Sequence, residues 1–404
     1  MSAELQIEKA VQIETVTAEE ALDRIGQLRL REYGLGSKEL MDEFQTAIAD
    51  SSRALRPVQL VVGLDNADTA GVLLQAVRQE PEVFFGGIDI TAKALNTDVK
   101  ILHIPDYRKD LKEEWAPLAK AHGVLLAEGI ITRRNYPGAS IHHMITMLNV
   151  GEAFLGKDPS GIYISIDGAD LQKVTASTKI SELRDLNAIK AIQTGYRFLG
   201  AEAGEMTVEE AGVPNGVLNF ITANDCIVSL TQKNLLESRR QSCGTCVFCR
   251  EGLLQLEYMQ NEITQGRGKI EFKALSKEIG DAMRFSTQCS VGENAFEIAL
   301  SAMDLFEEEY NLHIKKKKCP AKKCFSAQQV YIDPHICTGC GECMDACPVN
   351  CIIGKTGHIH MIDEFDCTKC GNCISACPEE AIMQTSGKIP KLPNRLMKVG
   401  KFKK

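Results

Sequence analysis

Several common sequence features are absent from this chain. No apolar run approaches the ~18 residues needed to cross a bilayer, and the acidic start MSAELQIEKA lacks the basic and then apolar profile of a signal peptide. The first 225 residues contain no cysteine, and neither GxGxxG nor GxxxxGKS/T occurs anywhere. We therefore expect neither a secreted nor a membrane-spanning protein, and no common glycine-rich nucleotide-binding loop.

The charge and the cysteines are unevenly distributed. The net charge is −8, but residues 387–404 hold seven Lys or Arg and no acid, so the remaining residues carry −15. An acidic body is unfavourable for nucleic-acid binding, which needs a basic face against phosphate. The basic tail is predicted either to dock on a partner or to stay solvated. Sixteen cysteines without an export signal favour metal thiolates over disulfides, and a reducing, cytoplasmic location.

The spacing of apolar residues predicts an α/β front half. Residues 18–33 and 69–79 have helical periodicity, whereas PVQLVVGLDN and VKILHIP are typical of buried strands. This alternation favours a layered α/β domain with some parallel pairing. Further along, GIYISIDG alternates as a strand does, and ISELRD indicates the start of a short helix. Residues 251–309 are predicted to be helical, residues 315–318 to be a solvated connector, and residues 332–383 to form a small, loop-rich unit.

A duplicated cysteine motif dominates that last unit. DPHICTGCGECMDACPVNCI and DEFDCTKCGNCISACPEEAI align residue for residue at an offset of 30 positions, which predicts two equivalent metal sites. Each copy carries C-x2-C-x2-C-x3-C-P, in which three close cysteines face one cluster and the fourth reaches the other. The predicted 4Fe-4S ligands are Cys337, Cys340, Cys343 and Cys377 for one cluster, and Cys367, Cys370, Cys373 and Cys347 for the other. Paired zinc sites are disfavoured, because structural zinc needs no third cysteine at this spacing. The unit resembles bacterial two-cluster ferredoxins.

A second cysteine group precedes the repeat. SCGTCVFCREG supplies Cys243, Cys246 and Cys249, and STQCSVGEN supplies Cys289. Three cysteines again lie in one loop and a remote one closes the site, which predicts a third 4Fe-4S cluster, with zinc as the alternative. This group resembles the NADH-oxidising flavoprotein subunit of respiratory complex I. The resemblance is closer to the diaphorase-type subunit of cytoplasmic electron-bifurcating hydrogenases, which appends a two-cluster ferredoxin.

The resemblance extends towards the N-terminus on weaker motifs. PSGIYISIDGADLQ through ISELRD is similar to the small β-grasp-type domain of that family, and HHMITMLNVGEAF is similar to the preceding segment. Asn66, Ala67 and Asp68 match a triplet that lies near FMN in the family. The resemblance implies six parts: a degenerate flavoprotein-like α/β domain (1–140), a small β-grasp-like domain (141–225), a four-helix-type iron–sulfur domain (226–314), a linker with candidate zinc ligands (315–330), a two-cluster ferredoxin domain (331–385) and a basic tail (386–404).

The flavin region departs from the family pattern. The family has a long glycine-rich loop whose backbone N–H groups approach the flavin phosphate, but here REYGLGSKELMDEFQTA offers only Gly34 and Gly36. Thr69 stands where an acidic residue is expected after the triplet, and AHGVLLAEGIITRRNYPGAS is shorter than its counterpart. We therefore predict that FMN is absent from this chain.

The remaining candidate residues have several interpretations. Cys226, His313, Cys319 and Cys324 form either a zinc site or ordinary packed thiols, and similar cysteines occur at this linker in the hydrogenase diaphorase subunits. Cys351 is expected to pack behind a cluster rather than to ligate one. No catalytic residue is predicted: the His142–His143 pair, the Arg133–Arg134 pair and Trp115 are expected to be packed or solvated.

These motifs predict an electron-transfer subunit that carries three 4Fe-4S clusters in a multi-subunit, anaerobic, electron-bifurcating oxidoreductase. Clusters move single electrons, so the chain needs other redox subunits as partners, such as a flavoprotein or a ferredoxin. The alternative is an FMN-dependent NADH dehydrogenase subunit with an atypical flavin loop. A third hypothesis keeps the front domain purely as a docking platform for a catalytic subunit.

Overall fold

The computed structural model describes residues 16–34, 38–132, 134–324, 329–364, 366–385 and 389–402. Gly36 of the predicted flavin loop, Arg133, part of the predicted linker and both ends of the basic tail lie outside these residues. The chain divides into two units. Unit 1 comprises Met1–Ala223, Thr231–Glu257 and Lys273–Leu305, and unit 2 comprises Asn224–Leu230, Tyr258–Phe272 and Phe306–Lys404.

The front of unit 1 is built on a parallel sheet. Its elements are α1 (Ala18–Gln27), α2 (Leu40–Ala54), β1 (Leu60–Gly63), α3 (Leu74–Gln79), α4 (Pro81–Ala94), β2 (Lys100–Ile104), α5 (Asp110–Ala121), β3 (Val124–Glu128), β4 (Ser140–His143) and α6 (Met144–Phe154). The strand order is β3-β2-β1-β4, and every pairing is parallel. The central strand β1 is buried along its whole length, as its apolar sequence predicts. The predicted α/β front with parallel pairing is confirmed.

Two predicted helices have different bounds in the structure. The first was predicted over residues 18–33 but ends at Gln27, and Glu32 beyond it makes contacts of its own with α6. The helix predicted over residues 69–79 begins only at Leu74, because Asp68 organises a turn before it. The sequence also did not indicate α4, which is buried on nearly every face and therefore has no amphipathic period.

Helices α4 and α6 cross at two glycines. A β-carbon on Gly87 would lie 1.8 Å from the carbonyl oxygen of Met147, and one on Gly151 would lie 2.1 Å from that of Val83. Both positions therefore require the absence of a side chain, since neither backbone can yield without moving its helix. This close crossing fixes α6, whose first residues follow directly from β4.

A second sheet follows in unit 1. Its elements are β5 (Ile162–Ile166), β6 (Gln172–Val174), α7 (Ile180–Leu183), β7 (Ile189–Thr194), β8 (Arg197–Gly200), α8 (Val208–Ala211) and β9 (Val217–Thr222). The strand order is β6-β5-β9-β7-β8, with β5 and β9 parallel and the other neighbours antiparallel. The predicted strand in GIYISIDG and the short helix at ISELRD both form. The assignment of this sheet as a β-grasp-like domain stays a prediction, as do the bounds of the six predicted parts.

Helices occupy the region between the second sheet and the cysteine repeat. They are α9 (Ile227–Gln241), α10 (Val247–Thr264), α11 (Phe272–Ser286), α12 (Ser290–Asn294), α13 (Glu297–Leu305) and α14 (Glu307–Lys316). Within unit 1, Ser301 of α13 accepts a hydrogen bond from the backbone of Phe198 in β8 at 3.0 Å, which ties the second sheet to the helices. The helical prediction for residues 251–309 agrees with these elements.

The cysteine repeat folds into a small pseudo-symmetric domain in unit 2. Its elements are β10 (Gln329–Ile332), α15 (Glu342–Asp345), β11 (Ile352–Ile353), β12 (Met361–Ile362), α16 (Asn372–Ala376) and β13 (Ile382–Thr385). Strand β10, before the first cysteine motif, pairs antiparallel with β13, after the second, and β11 pairs with β12. Each copy therefore pairs its strands with those of the other copy.

The described part of the basic tail packs on this same domain. Met397 accepts a backbone hydrogen bond from Ile359 at 2.9 Å, Val399 donates one to Gly357, and the Phe402 ring lies 5.6 Å from that of His335. The described part of the tail contacts the chain itself, while most of its side chains are exposed. Docking of the tail on a partner stays a prediction.

Candidate metal centres

The first predicted ferredoxin ligand set is brought together by the fold. Burial, together with the nearby charges of Cys337, Cys340 and Cys377, raises the pKa of the Cys343 thiol to about 12. Three of these cysteines come from the loop before α15 and its first turn, whereas Cys377 comes from the end of α16 in the other copy. The arrangement has the crossed form that the motif predicts.

The second set has the same form. Burial raises the pKa of Cys373, and the neighbouring charges come from Cys367, Cys370 and Cys347. A fifth sulfur, from Cys351, lies beside this set. The Cys351 Sγ atom lies 3.5 Å from the Cys347 Sγ atom and also within hydrogen-bonding contact of Cys367. Four thiolates with amide donors nearby suit a 4Fe-4S cluster in each set.

The four cysteines of the front group meet in unit 1. The pKa of Cys289 is raised to about 11, chiefly by burial and also by the charges of Cys249 and Cys243, against the lowering effect of the backbone N–H groups of α12. Cys249 is likewise near Cys246 and Cys243. The loop between them is closed by Arg250, which donates to the Gly244 carbonyl at 2.8 Å. The remote cysteine therefore completes the three-cysteine loop as predicted from the spacing.

Cys226, His313, Cys319 and Cys324 converge in unit 2. All four are buried, and their ligand atoms lie within 4.8 Å of one another. The Cys226–Cys324 sulfurs are 3.4 Å apart, and each lies 3.4 Å from His313 Nε2. A tetrahedral zinc ion bound by sulfur and nitrogen separates its ligand atoms by about 3.5–3.8 Å, close to these values.

Hydrogen bonds prepare this set for a metal. His313 donates from Nδ1 to the Glu309 carbonyl at 2.7 Å, so its Nε2 lone pair faces the three sulfurs. Hydrogen bonds from Cys226 and Cys324 hold the pKa of Cys319 below its ordinary value, which favours the thiolate that binds metal. The donor set and its geometry fit a Cys3His zinc site.

A cleft of about 750 Å³ lies in unit 1, between the carboxyl ends of the parallel strands and the front cysteine group. Its wall includes Cys243, Cys246 and Cys289. A cleft at this edge of a parallel sheet is the usual ligand position in an open α/β fold. Its charged lining residues are mostly acidic: Asp65, Asp68, Asp106, Glu128 and Glu237, against Arg134 and Arg240. Such a lining fits poorly with the phosphate of FMN.

Asn66 and Asp68 of the triplet that matches the flavin family make hydrogen bonds within the protein. The Asn66 amide donates to the Ile131 carbonyl at 2.6 Å and accepts from the Ile131 N–H at 3.1 Å. Asp68 Oδ1 accepts from the N–H groups of Ala70 and Gly71, while its Oδ2 is buried with no hydrogen-bond partner among the described residues. Burial raises the pKa of Asp68 to about 7. Asp68 therefore stabilises the local turn, and Asn66 ties that turn to the segment after β3.

A buried polar chain anchors the segment that stands in for the glycine-rich loop. Glu32 accepts from His142 Nδ1 at 2.7 Å, and His142 Nε2 lies 2.7 Å from the Ser140 hydroxyl. The other Glu32 oxygen accepts from the His143 N–H and the Thr146 hydroxyl at the start of α6. A carboxylate thus occupies the helix N-terminus, where an anion would bind favourably.

The sequence did not indicate this Ser–His–Glu chain, because Glu32 lies 110 positions from His142. Ser140 and His142 are buried, at 3% and 2% exposure. The hydrogen bonds of the chain hold Glu32 against the start of α6, and His142 is packed, in agreement with one of the roles expected for it.

Comparisons with known proteins match the two cysteine regions. Residues 232–313 match the NADH-ubiquinone oxidoreductase-F iron-sulfur binding region, and residues 329–378 match the 4Fe-4S dicluster domain. The predicted resemblance is confirmed. Both family descriptions support 4Fe-4S binding, and between them the matched ranges contain all twelve predicted cluster cysteines.

Curated relatives cover part of the chain. The NADP-reducing hydrogenase subunit HndC of Solidesulfovibrio fructosivorans is 33% identical over 186 residues, which are 44% of this chain and 38% of that protein. An NADH-quinone oxidoreductase subunit of Mycobacterium bovis is 28% identical over 125 residues, or 31% and 26% of the two chains. The matched region spans less than half the length of either relative.

A solved structure supports the fold over a larger part of the chain. A crystal structure of an NAD+-reducing [NiFe]-hydrogenase in the H2-reduced state superposes with a TM-score of 0.63 at 15% identity. The match covers 78% of this chain and 65% of that chain. In the part of the chain that the structure describes, no helix combines the length and apolarity needed to span a membrane.

Proposed function

We propose that this chain is an iron–sulfur electron-transfer subunit that relays electrons between partner subunits through three 4Fe-4S clusters. The observation that carries the proposal is the grouping of twelve cysteines into three sets of four, each with a remote fourth member. Cys243, Cys246, Cys249 and Cys289 would hold one cluster, and the two crossed sets of the repeat would hold the others. When bound, such clusters accept and release single electrons without substrate chemistry.

The protein supplies the surroundings that control these electrons. Backbone N–H groups directed at ligating sulfurs stabilise negative charge: Lys369 donates to Cys367, and Ala381 to Cys377, each at 3.4 Å. Cys243, Cys340 and Cys370 are exposed, so each set has one ligand at the surface where a redox partner could approach. The same exposure would admit oxygen, which is consistent with an anaerobic setting.

The same chain is proposed to lack FMN. Acidic residues dominate the cleft, Glu32 occupies the N-terminus of α6, and Asn66 is committed to Ile131. The alternative, an FMN-dependent NADH dehydrogenase with an atypical loop, is favoured by one observation: the cleft is about 750 Å³ and reaches the front cysteines. Flavin content separates the two hypotheses directly.

We also propose one zinc ion at Cys226, His313, Cys319 and Cys324. The support is the burial of four metal-binding groups with ligand atoms within 4.8 Å. Zinc has no redox chemistry, so its role would be structural. It would hold the segment before α9 to α14 and to the linker that follows.

The wider setting follows from these assignments as a proposal. Clusters without a substrate site need donors and acceptors, so the chain would work with other redox subunits in a cytoplasmic, multi-subunit and electron-bifurcating oxidoreductase, with a flavoprotein or a ferredoxin among them. The front domain would then serve chiefly as the docking platform for a catalytic subunit.

The test is anaerobic purification of the full chain, with iron, zinc and flavin counted per polypeptide. The proposal expects about twelve irons, one zinc and no flavin. About eight irons in the fully loaded protein would contradict the proposed front cluster. Stoichiometric flavin that is bleached by NADH would favour the alternative.

A further inference from the structure

The internal repeat provides a matched comparison between the two halves of the ferredoxin domain. Because the copies align at an offset of 30 positions, a residue beside one ligand set has a counterpart beside the other. At one such position the side chains differ in chemistry: Cys351 in the first copy corresponds to Ala381 in the second.

The backbone at this position is equivalent in both halves. The Cys351 N–H donates to the Cys347 sulfur at 3.4 Å, and the Ala381 N–H donates to the Cys377 sulfur at the same distance. Both residues are buried. From this position each fourth ligand thus receives an amide hydrogen bond of the same length, and the side chain distinguishes the two positions.

That side chain lies against two ligands of one set. The Cys351 sulfur is 3.5 Å from the Cys347 sulfur and contacts Cys367, and both are proposed ligands of the same cluster. A ligating cysteine has lost its proton and can only accept a hydrogen bond, so in a hydrogen bond between these sulfurs Cys351 is the donor. The Ala381 methyl group has no proton to donate.

We propose that the Cys351 thiol tunes the cluster held by Cys347, Cys367, Cys370 and Cys373 to a higher reduction potential than its twin. This inference rests on the proposed function, since it needs both clusters in place. A donor to a ligand sulfur stabilises the more negative, reduced state, and hydrogen bonds to the sulfurs are among the determinants of cluster potential. The electron then favours this half of the domain, which makes transfer between the halves directional.

Charged residues also differ between the copies and must be kept constant in a test. Lys369 corresponds to Gly339 and adds positive charge beside Cys367, whereas Glu364 and Asp366 correspond to Pro334 and Ile336 and add negative charge. The two acids are exposed, so water and salt screen them. Substitution of Cys351 alone leaves all of these charges unchanged.

The experiment is a redox titration of the full chain monitored by electron paramagnetic resonance, with iron counted in each sample. In Cys351→Ala, we expect one ferredoxin potential to shift downward while the second ferredoxin potential, the front cluster and the iron content stay unchanged. Cys351→Ser keeps a donor, so its potential should lie between those of wild type and Cys351→Ala. The reciprocal Ala381→Cys should raise the other ferredoxin potential.

Two results would overturn the inference. An unchanged or raised potential in Cys351→Ala would show that the thiol does not donate to the cluster ligands. Loss of iron from both Cys351 variants would show that Cys351 is itself a ligand. A wild-type protein without the two ferredoxin clusters would instead contradict the proposed function, and the iron count distinguishes that outcome.

Discussion

His313 and Glu309 form the hydrogen bond that orients the candidate zinc site. They lie one helical turn apart in α14, and the imidazole Nδ1 donates to the Glu309 carbonyl at 2.7 Å. A carbonyl can only accept, so the proton is on Nδ1 and the Nε2 lone pair is directed at Cys226 and Cys324. The ring is therefore fixed in the tautomer that binds a metal.

Zinc content tests this orientation. His313→Ala should lose the single zinc, because three buried thiols without the imidazole leave the tetrahedral set incomplete. Elemental analysis should show unchanged iron in the same sample. The matched control is His335→Ala, which removes an exposed histidine and should retain zinc. Wild-type protein free of zinc after metal-replete growth would rule the site out.

The front cluster depends on its remote ligand. Cys289→Ser should lower iron by about four per chain and leave the two ferredoxin clusters intact, because Cys289 lies beside Cys249 and Cys243 and belongs to neither ferredoxin set. Iron analysis and the ferredoxin resonance signals provide the measurement. Cys351→Ala, which removes a thiol outside the three ligand sets, is the control for iron content. An equal loss of all resonance signals would point to general unfolding instead.

The cleft is expected to exclude flavin. After anaerobic desalting, the full chain should retain no FMN fluorescence and should not reduce a dye with NADH, since acidic side chains surround the position where a phosphate would lie. Reconstitution with excess FMN followed by gel filtration gives the same readout. Co-elution of one FMN per chain would contradict this prediction and support an NADH-oxidising activity.

The buried Asp68 predicts a pH dependence of stability. Its pKa is raised to about 7 in the folded protein from an ordinary value of 3.8, so between these values the folded state holds a proton that the unfolded state has lost. The free energy of unfolding should therefore fall as the pH rises from about 4 to about 7, by a few kcal/mol, and then stay level. The cause is the cost of burying the charged carboxylate.

Chemical denaturation at about pH 5.5 and about pH 8 measures this change. Asp68→Asn keeps the acceptor for Ala70 and Gly71 but cannot ionise, so it should lose the slope and be the more stable form at the higher pH. Asp106→Asn removes an exposed carboxylate from the same cleft and should keep the slope. Equal slopes for wild type and Asp68→Asn would refute the assignment.

The glycine crossing predicts a severe packing defect. Gly87→Ala places a methyl group against the Met147 carbonyl, so α4 and α6 must separate, and the loss of stability should reach roughly 1–3 kcal/mol or more. Gly26→Ala is the control: its new methyl group would meet only the Met41 side chain at 3.6 Å, and the helix gains propensity. Denaturant midpoints of the two variants should move in opposite directions.

The cysteine sets could be predicted because their information is local. Ligands two or three residues apart are forced onto one loop, and the repeat identifies which cysteine belongs to the other half. Cys226 lies 98 positions from Cys324 in the sequence, yet the fold places their sulfurs 3.4 Å apart. The sequence around a buried cysteine that follows a strand does not indicate a metal ligand so far along the chain.

Other features lacked any periodic or local signal. Helix α4 is apolar on nearly every face, so neither a helix nor a strand period stands out in PEVFFGGIDITAKA. The need for Gly87 and Gly151 arises from two backbones meeting in space, and the Glu32–His142 contact joins residues 110 positions apart. The contact of the tail with Ile359 also has no local signal, because a charge pattern does not indicate packing.

The pairing of β10 with β13 has a consequence for the origin of the ferredoxin domain. Each motif copy supplies one outer strand and one distal cysteine to the other copy, and takes the same two elements in return. A chain with one copy would leave an open strand edge and a metal site one ligand short. Two such half-length chains could satisfy each other symmetrically as a homodimer, so the pairing is compatible with an origin by fusion of two identical halves. Within one chain the halves can differ in sequence, as they do at Cys351 and Ala381.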